Sequence, residues 1–76
     1  MSDPVRPSKT PRYLEIFEAL RADIGSGEFA IGALLPSEAS LCARFAVSRF
    51  TVREALRRLQ SDGMLSRIQG AGSRVL

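Results

Sequence analysis

The stretch SEASLCARFAVSRFTVREALRRLQSDG, residues 37–63, contains two helix starts, at Ser37 and Ser48. Serine in that place caps a helix, because its hydroxyl accepts a bond from an otherwise unpaired N–H of the first turn. After Ser37 the apolar positions Leu41, Cys42 and Phe45 predict a helix ending near Phe45. After Ser48, the residues Val52, Ala55, Leu56 and Leu59 recur at helical spacing and predict a helix to about Asp62, with Gly63 as its stop. Ala46-Val47 leaves room only for a tight connection. Two helices joined by so short a turn form a helix-turn-helix, and the second of such a pair is the one that enters the major groove of DNA.

Downstream, Met64, Leu65, Arg67 and Ile68 read as a strand, Gly70-Ala71-Gly72 as a turn, and residues 73–76 as the returning strand. Upstream, residues 28–36 are a connector. There Gly32 suits a turn that needs positive φ, Leu34-Leu35 suit a very short strand, and Pro36 stops it. An earlier helix carries Tyr13, Ile16, Phe17, Leu20 and Ile24 on one face and ends at Gly25 and Gly27. Thr10 reads as its cap and Pro11 as its first helical residue. Residues 1–9, with Pro4 and Pro7 and no periodicity, read as a flexible tail. The expected fold is mainly α with a small β-hairpin: a three-helix winged helix-turn-helix over residues 10–76, the helix-turn-helix at about 37–62 and the wing at about 64–76.

At 76 residues the chain is one domain with little room for an enclosed active site. It has no histidine and a single cysteine, Cys42, so a zinc site of Cys and His ligands and an internal disulfide are both excluded. No catalytic set, metal or cofactor is expected, and the chain reads as no enzyme. Cys42, beside Leu41 and Phe45, reads as a small core residue. Neither a membrane span nor a secretory signal is legible, which makes the cytoplasm the expected location.

Charge is unevenly placed. Residues 44–76 carry seven arginines against Glu54 and Asp62, whereas residues 1–43 are slightly acidic. Arginine pairs with phosphates and guanine edges in bidentate fashion, so a basic half built of arginine alone points to nucleic acid. Single-stranded RNA is the weaker target, because base stacking needs exposed aromatics and Tyr13, Phe17 and Phe45 fit the core. A winged helix reused for protein contacts would have lost the arginines of its third helix, which are present here.

Eight elements stand in order: Pro11-Arg12-Tyr13, Gly27-Glu28-Phe29, Gly32, Leu35-Pro36-Ser37-Glu38, Val47-Ser48-Arg49, Thr51-Val52-Arg53-Glu54-Ala55-Leu56, Asp62-Gly63-Met64-Leu65 and Gly70-Ala71-Gly72. Together they resemble the N-terminal domain of the GntR family of bacterial transcriptional regulators. The resemblance implies a winged helix-turn-helix that binds palindromic double-stranded operators as a homodimer, with the third helix in the major groove and the wing glycine at the minor groove. It also implies a C-terminal domain, absent from this chain, that binds a small-molecule effector. A bulky residue before Thr51, with no proline there, looks more like the HutC branch than the FadR branch. Three positions depart from the pattern: Ile31 replaces a common proline, Ala39 a common arginine that touches DNA in some members, and Ser73-Arg74 a common Thr-aromatic pair.

On a wheel of 100° per residue, Arg49, Arg53 and Arg57 form a stripe flanking the buried side of the third helix. Arg49 and Arg53, near the helix start, are the candidates for guanine contacts, with Arg57 farther along. Ser48 and Ser37 are caps whose helix ends can also face phosphates, and Thr51 is a further phosphate candidate. From the wing, Arg67, Gln69 and Gly70 are expected at the DNA, with Arg74 beside them. Phe50 points away from its own helix's buried side. It either packs on a thymine methyl group or folds back over the second helix into the core.

Overall fold

The structure is a computed structural model that describes residues 11–68 and 72–76. The tail expected over residues 1–9, the cap at Thr10, the wing residues Gln69 and Gly70, and Ala71 of the turn lie outside the described residues. Three helices are followed by a hairpin: α1 (Arg12–Gly25), α2 (Glu38–Phe45), α3 (Arg49–Ser61), β1 (Leu65–Ile68) and β2 (Gly72–Val75). The predicted mainly helical winged helix-turn-helix is the observed architecture.

Helix α1 starts one residue later than expected. Pro11 is the capping residue rather than the first helical one: its ψ of 142° is extended, and its carbonyl accepts from Leu14 N–H at 3.0 Å. At the start of α2, Ser37 accepts from Ser40 N–H at 3.1 Å; at α3, Ser48 accepts from Thr51 N–H at 3.2 Å. Both caps therefore sit where the sequence places them. The turn between α2 and α3 is made by Ala46, whose φ of 56° and ψ of 47° are left-handed. This costs an alanine about 1–2 kcal/mol and is otherwise left to glycine. The Arg12 guanidinium reaches across from α1 and donates to the Phe45 carbonyl at 2.8 Å, satisfying an end of α2 that its own helix cannot.

The core is where the three helices and the hairpin meet. Ile16, Phe17 and Leu20 of α1 pack with Val52, Ala55, Leu56 and Leu59 of α3, and Leu41, Leu35, Leu65 and Val75 close the cluster. Burying each such leucine or isoleucine fully contributes about 1.5–3 kcal/mol. Tyr13, Phe45 and Cys42 pack against the cluster half-buried.

Strands β1 and β2 pair antiparallel, with Leu65 opposite Val75 and Arg67 opposite Ser73. The short strand expected at Leu34-Leu35 is a single antiparallel bridge from Leu34 to Arg74, flanked by Leu35 N–H to Ser73 carbonyl at 2.9 Å. Residues paired across a ladder share a face. Leu65, Arg67, Ser73 and Val75 thus lie on the face toward the core, and Ser66 and Arg74 on the other. Gly32, at φ 90°, donates to the Val75 carbonyl at 2.8 Å and turns the connector into this bridge.

Candidate nucleic-acid interface

The outward side of α3 is set by what its inward side buries. With Val52, Ala55, Leu56 and Leu59 against α1 and the hairpin, the opposite direction falls on Phe50, with Arg53, Arg57 and Glu54 around it. Phe50 is 70% exposed, which removes the expectation that its ring completes the core over α2. Among the described residues, no element covers a ring at that angle on the first turn.

The stripe of Arg49, Arg53 and Arg57 is present, but its members stand in three different settings. Arg53 donates from Nε to Glu38 Oε1 at 3.1 Å, across from α3 to the first residue of α2. Engaging Nε leaves the two terminal nitrogens, the pair that forms a fork toward guanine, unoccupied by that bond. Arg57 donates to Glu54 on its own helix at 2.9 Å. Arg49 has no carboxylate within salt-bridge range among the described residues.

Arg49 instead borders an open cleft of about 630 Å³ between the start of α2, the start of α3 and the hairpin, lined also by residues 35–39, Leu56, Arg67 and Ser73. Ala39, with its short side chain, is part of this lining and helps to leave it open. Two arginines, Arg49 and Arg67, thus face the same concavity beside the capped N-terminus of α2. That combination of cation and unpaired N–H groups suits a phosphate. Arg67 reaches it because it lies on the core-side face of the hairpin, past the edge of the core. Arg74, expected beside Arg67, lies on the opposite face.

For Thr51 two roles are open from the sequence, bonding a phosphate or completing the cap. Its hydroxyl hydrogen-bonds that of Ser48 at 3.1 Å, so it completes the cap. Arg58 and Arg44 act on the fold. Arg58 lies over the Phe17 ring at 5.1 Å and seals the seam between α1 and α3. Arg44, in the last turn of α2, binds Asp23 at 3.0 Å and covers Phe45 at 4.8 Å.

Glu38 is the site residue that sequence reasoning missed. It was legible as part of a motif but not as a partner of Arg53, because helical spacing relates residues on one helix and these two are on different ones. No helix among the described residues is long and apolar enough to cross a membrane.

Comparison with known proteins agrees with this fold. The family model described as bacterial regulatory proteins, gntR family, matches residues 12–75. The chain is 45% identical over 65 residues to the mannosyl-D-glycerate transport/metabolism system repressor MngR of Escherichia coli, covering 86% of this chain and 27% of that protein. It is 40% identical over 68 residues to the histidine utilization repressor of Klebsiella aerogenes, covering 90% of this chain and 28% of that one. The chain thus spans little more than a quarter of the length of these curated relatives. Among solved structures, AraR(DBD) in complex with operator ORX1 superimposes with a TM-score of 0.88 at 32% identity, covering 100% of this chain and 92% of that one. The N-terminal domain of AraR in complex with mutant ORR3 gives 0.86 at 34% identity, with 88% and 96% covered.

Proposed function

The chain belongs to the gntR family of bacterial regulatory proteins, and on that premise we propose that it reads a double-stranded operator in sequence-specific fashion, with α3 in the major groove and the wing at the minor groove. As a GntR-type DNA-binding domain it is a module of a transcriptional regulator rather than an enzyme. One observation carries the finer reading. Arg49, Phe50 and Arg53 are all exposed at the start of α3, the end of a recognition helix that reaches base edges.

In this reading Arg49 and Arg53 contact guanines, while Arg67 holds the backbone from across the cleft. Ser37 and Ser48 present their helix N-termini to phosphates. Thr51, Arg57, Gln69 and Gly70 lie along the same contact, with Gly70 as the wing glycine. Two copies bind a palindromic site as a homodimer, and the domain boundary runs at residues 10–76 after a tail of nine. The names of the relatives, repressors of mannosyl-D-glycerate transport/metabolism and of histidine utilization, support a repressor; in this reading it acts in the cytoplasm and is controlled by a small molecule bound to a further domain.

The test is a titration of labelled duplex by fluorescence anisotropy at several salt concentrations. Neutralising phosphates releases counterions, so log K falls with log salt at about −0.9 per phosphate contact. A flat response, or no binding at low salt, overturns the proposal.

A further inference from the structure

Phe50 is the largest side chain on the outward face of α3 and is 70% exposed. A single exposed apolar residue is ordinary on a protein surface. This one is distinguished by its position. It stands nearly opposite the centre of the buried stripe, in the first turn after the Ser48 cap. Arg53 and Arg57, three and seven residues farther along the same outward side, are each drawn to a carboxylate, Arg53 to Glu38 and Arg57 to Glu54. The ring precedes them on the helix and has no hydrogen-bonding atom of its own.

Resting on the operator reading above, we infer that Phe50 is a specificity-determining residue that reads the 5-methyl group of a thymine. That methyl is the apolar feature of the major-groove edge, and apolar contact is the means by which a phenyl ring distinguishes base pairs there. Hydrogen at the same carbon in cytosine or uracil leaves the ring against an unfilled gap. The ring therefore responds to methylation: 5-methylcytosine offers it the contact that cytosine does not.

The experiment uses the 76-residue chain and a randomised duplex library. Sites are selected with the unsubstituted chain and with Phe50→Ala, after melting curves establish that the exposed substitution leaves the fold intact. The expected result is a motif with one thymine per half-site whose preference Phe50→Ala loses, while the guanine positions persist. Replacing that thymine by deoxyuridine weakens binding of the unsubstituted chain roughly fourfold at one half-site, the value of one buried methyl group, and leaves binding of Phe50→Ala unchanged. Placing 5-methylcytosine instead of cytosine at that position tightens binding of the unsubstituted chain by a similar factor, and not of Phe50→Ala. If deoxyuridine weakens both proteins equally, or Phe50→Ala selects the same thymine, the assignment is wrong while the operator reading stands. If the unsubstituted chain selects no motif, both fall together.

Discussion

Arg53 of α3 donates from Nε to Glu38, the first residue of α2, at 3.1 Å. This bond ties the helix proposed to read DNA to the helix that supports it, and it holds the guanidinium from the side that a guanine does not use. The carboxylate side chain is 26% exposed and that of the arginine 54%. A pair this accessible adds little to stability, about 0–1 kcal/mol. Its consequence lies in orientation.

Glu38→Ala accordingly changes the melting temperature little. Removing a negative charge beside phosphates raises affinity for random duplex, while the unrestrained Arg53 discriminates less between operator and random sequence. The ratio of the two dissociation constants at fixed salt should fall by about tenfold or less, since a complete bidentate base contact is worth about 1–3 kcal/mol. An unchanged ratio would show that Glu38 does not orient Arg53.

Arg49→Ala and Arg53→Ala should each cost about 1–3 kcal/mol on the operator and relax one base position. Arg67→Ala should weaken operator and random duplex alike and reduce the salt slope by about one contact. Side-by-side titration of the three variants on both DNAs checks this. Arg49 lines the cleft with Arg67, so equal losses on both DNAs for Arg49→Ala would assign it to a phosphate instead of a base.

Ala46 turns the chain between α2 and α3 with φ 56°. Glycine adopts this conformation freely, so Ala46→Gly should stabilise the domain by about 0.5–1 kcal/mol even after the entropy gained by the unfolded chain. Ala46→Val adds branching at a left-handed position and should destabilise by about 1 kcal/mol or more. Urea unfolding with unchanged m-values measures both. Destabilisation by Ala46→Gly would contradict the left-handed turn.

A ring in the core would behave otherwise than Phe50. Phe17 is 5% exposed and packed under Arg58. Phe17→Ala should cost about 3–5 kcal/mol, against about 0.5 kcal/mol for the exposed Phe50→Ala. Thermal or urea melts of the two variants compare them directly, and a large loss for Phe50→Ala would return its ring to the core.

The helices, their serine caps, the glycine stops and the hairpin were legible in order from residues 10–76, because caps, periodicity and turn chemistry act within a few residues of one another. The local signals were ambiguous only at the margin, as at Pro11, where cap and first helical position both suit proline and the extended ψ decided for the cap. What a side chain does across elements was not legible. Three arginines at equal spacing on α3 are equivalent in sequence; the tertiary structure separates them by placing Glu38 beside Arg53 and the hairpin across from Arg49, and by leaving Arg57 to Glu54 on its own helix. Arg67 and Arg74 look alike on the wing until the strand register sends them to opposite faces. Phe50 was balanced between core and groove until the packing of α1, α2 and the hairpin around α3 left its direction uncovered. Local backbone energetics choose which elements form, whereas the partner of a charged or apolar side chain depends on how those elements are docked. That docking is set by the shape of the shared core formed by Ile16, Leu20, Leu41, Val52 and Leu59.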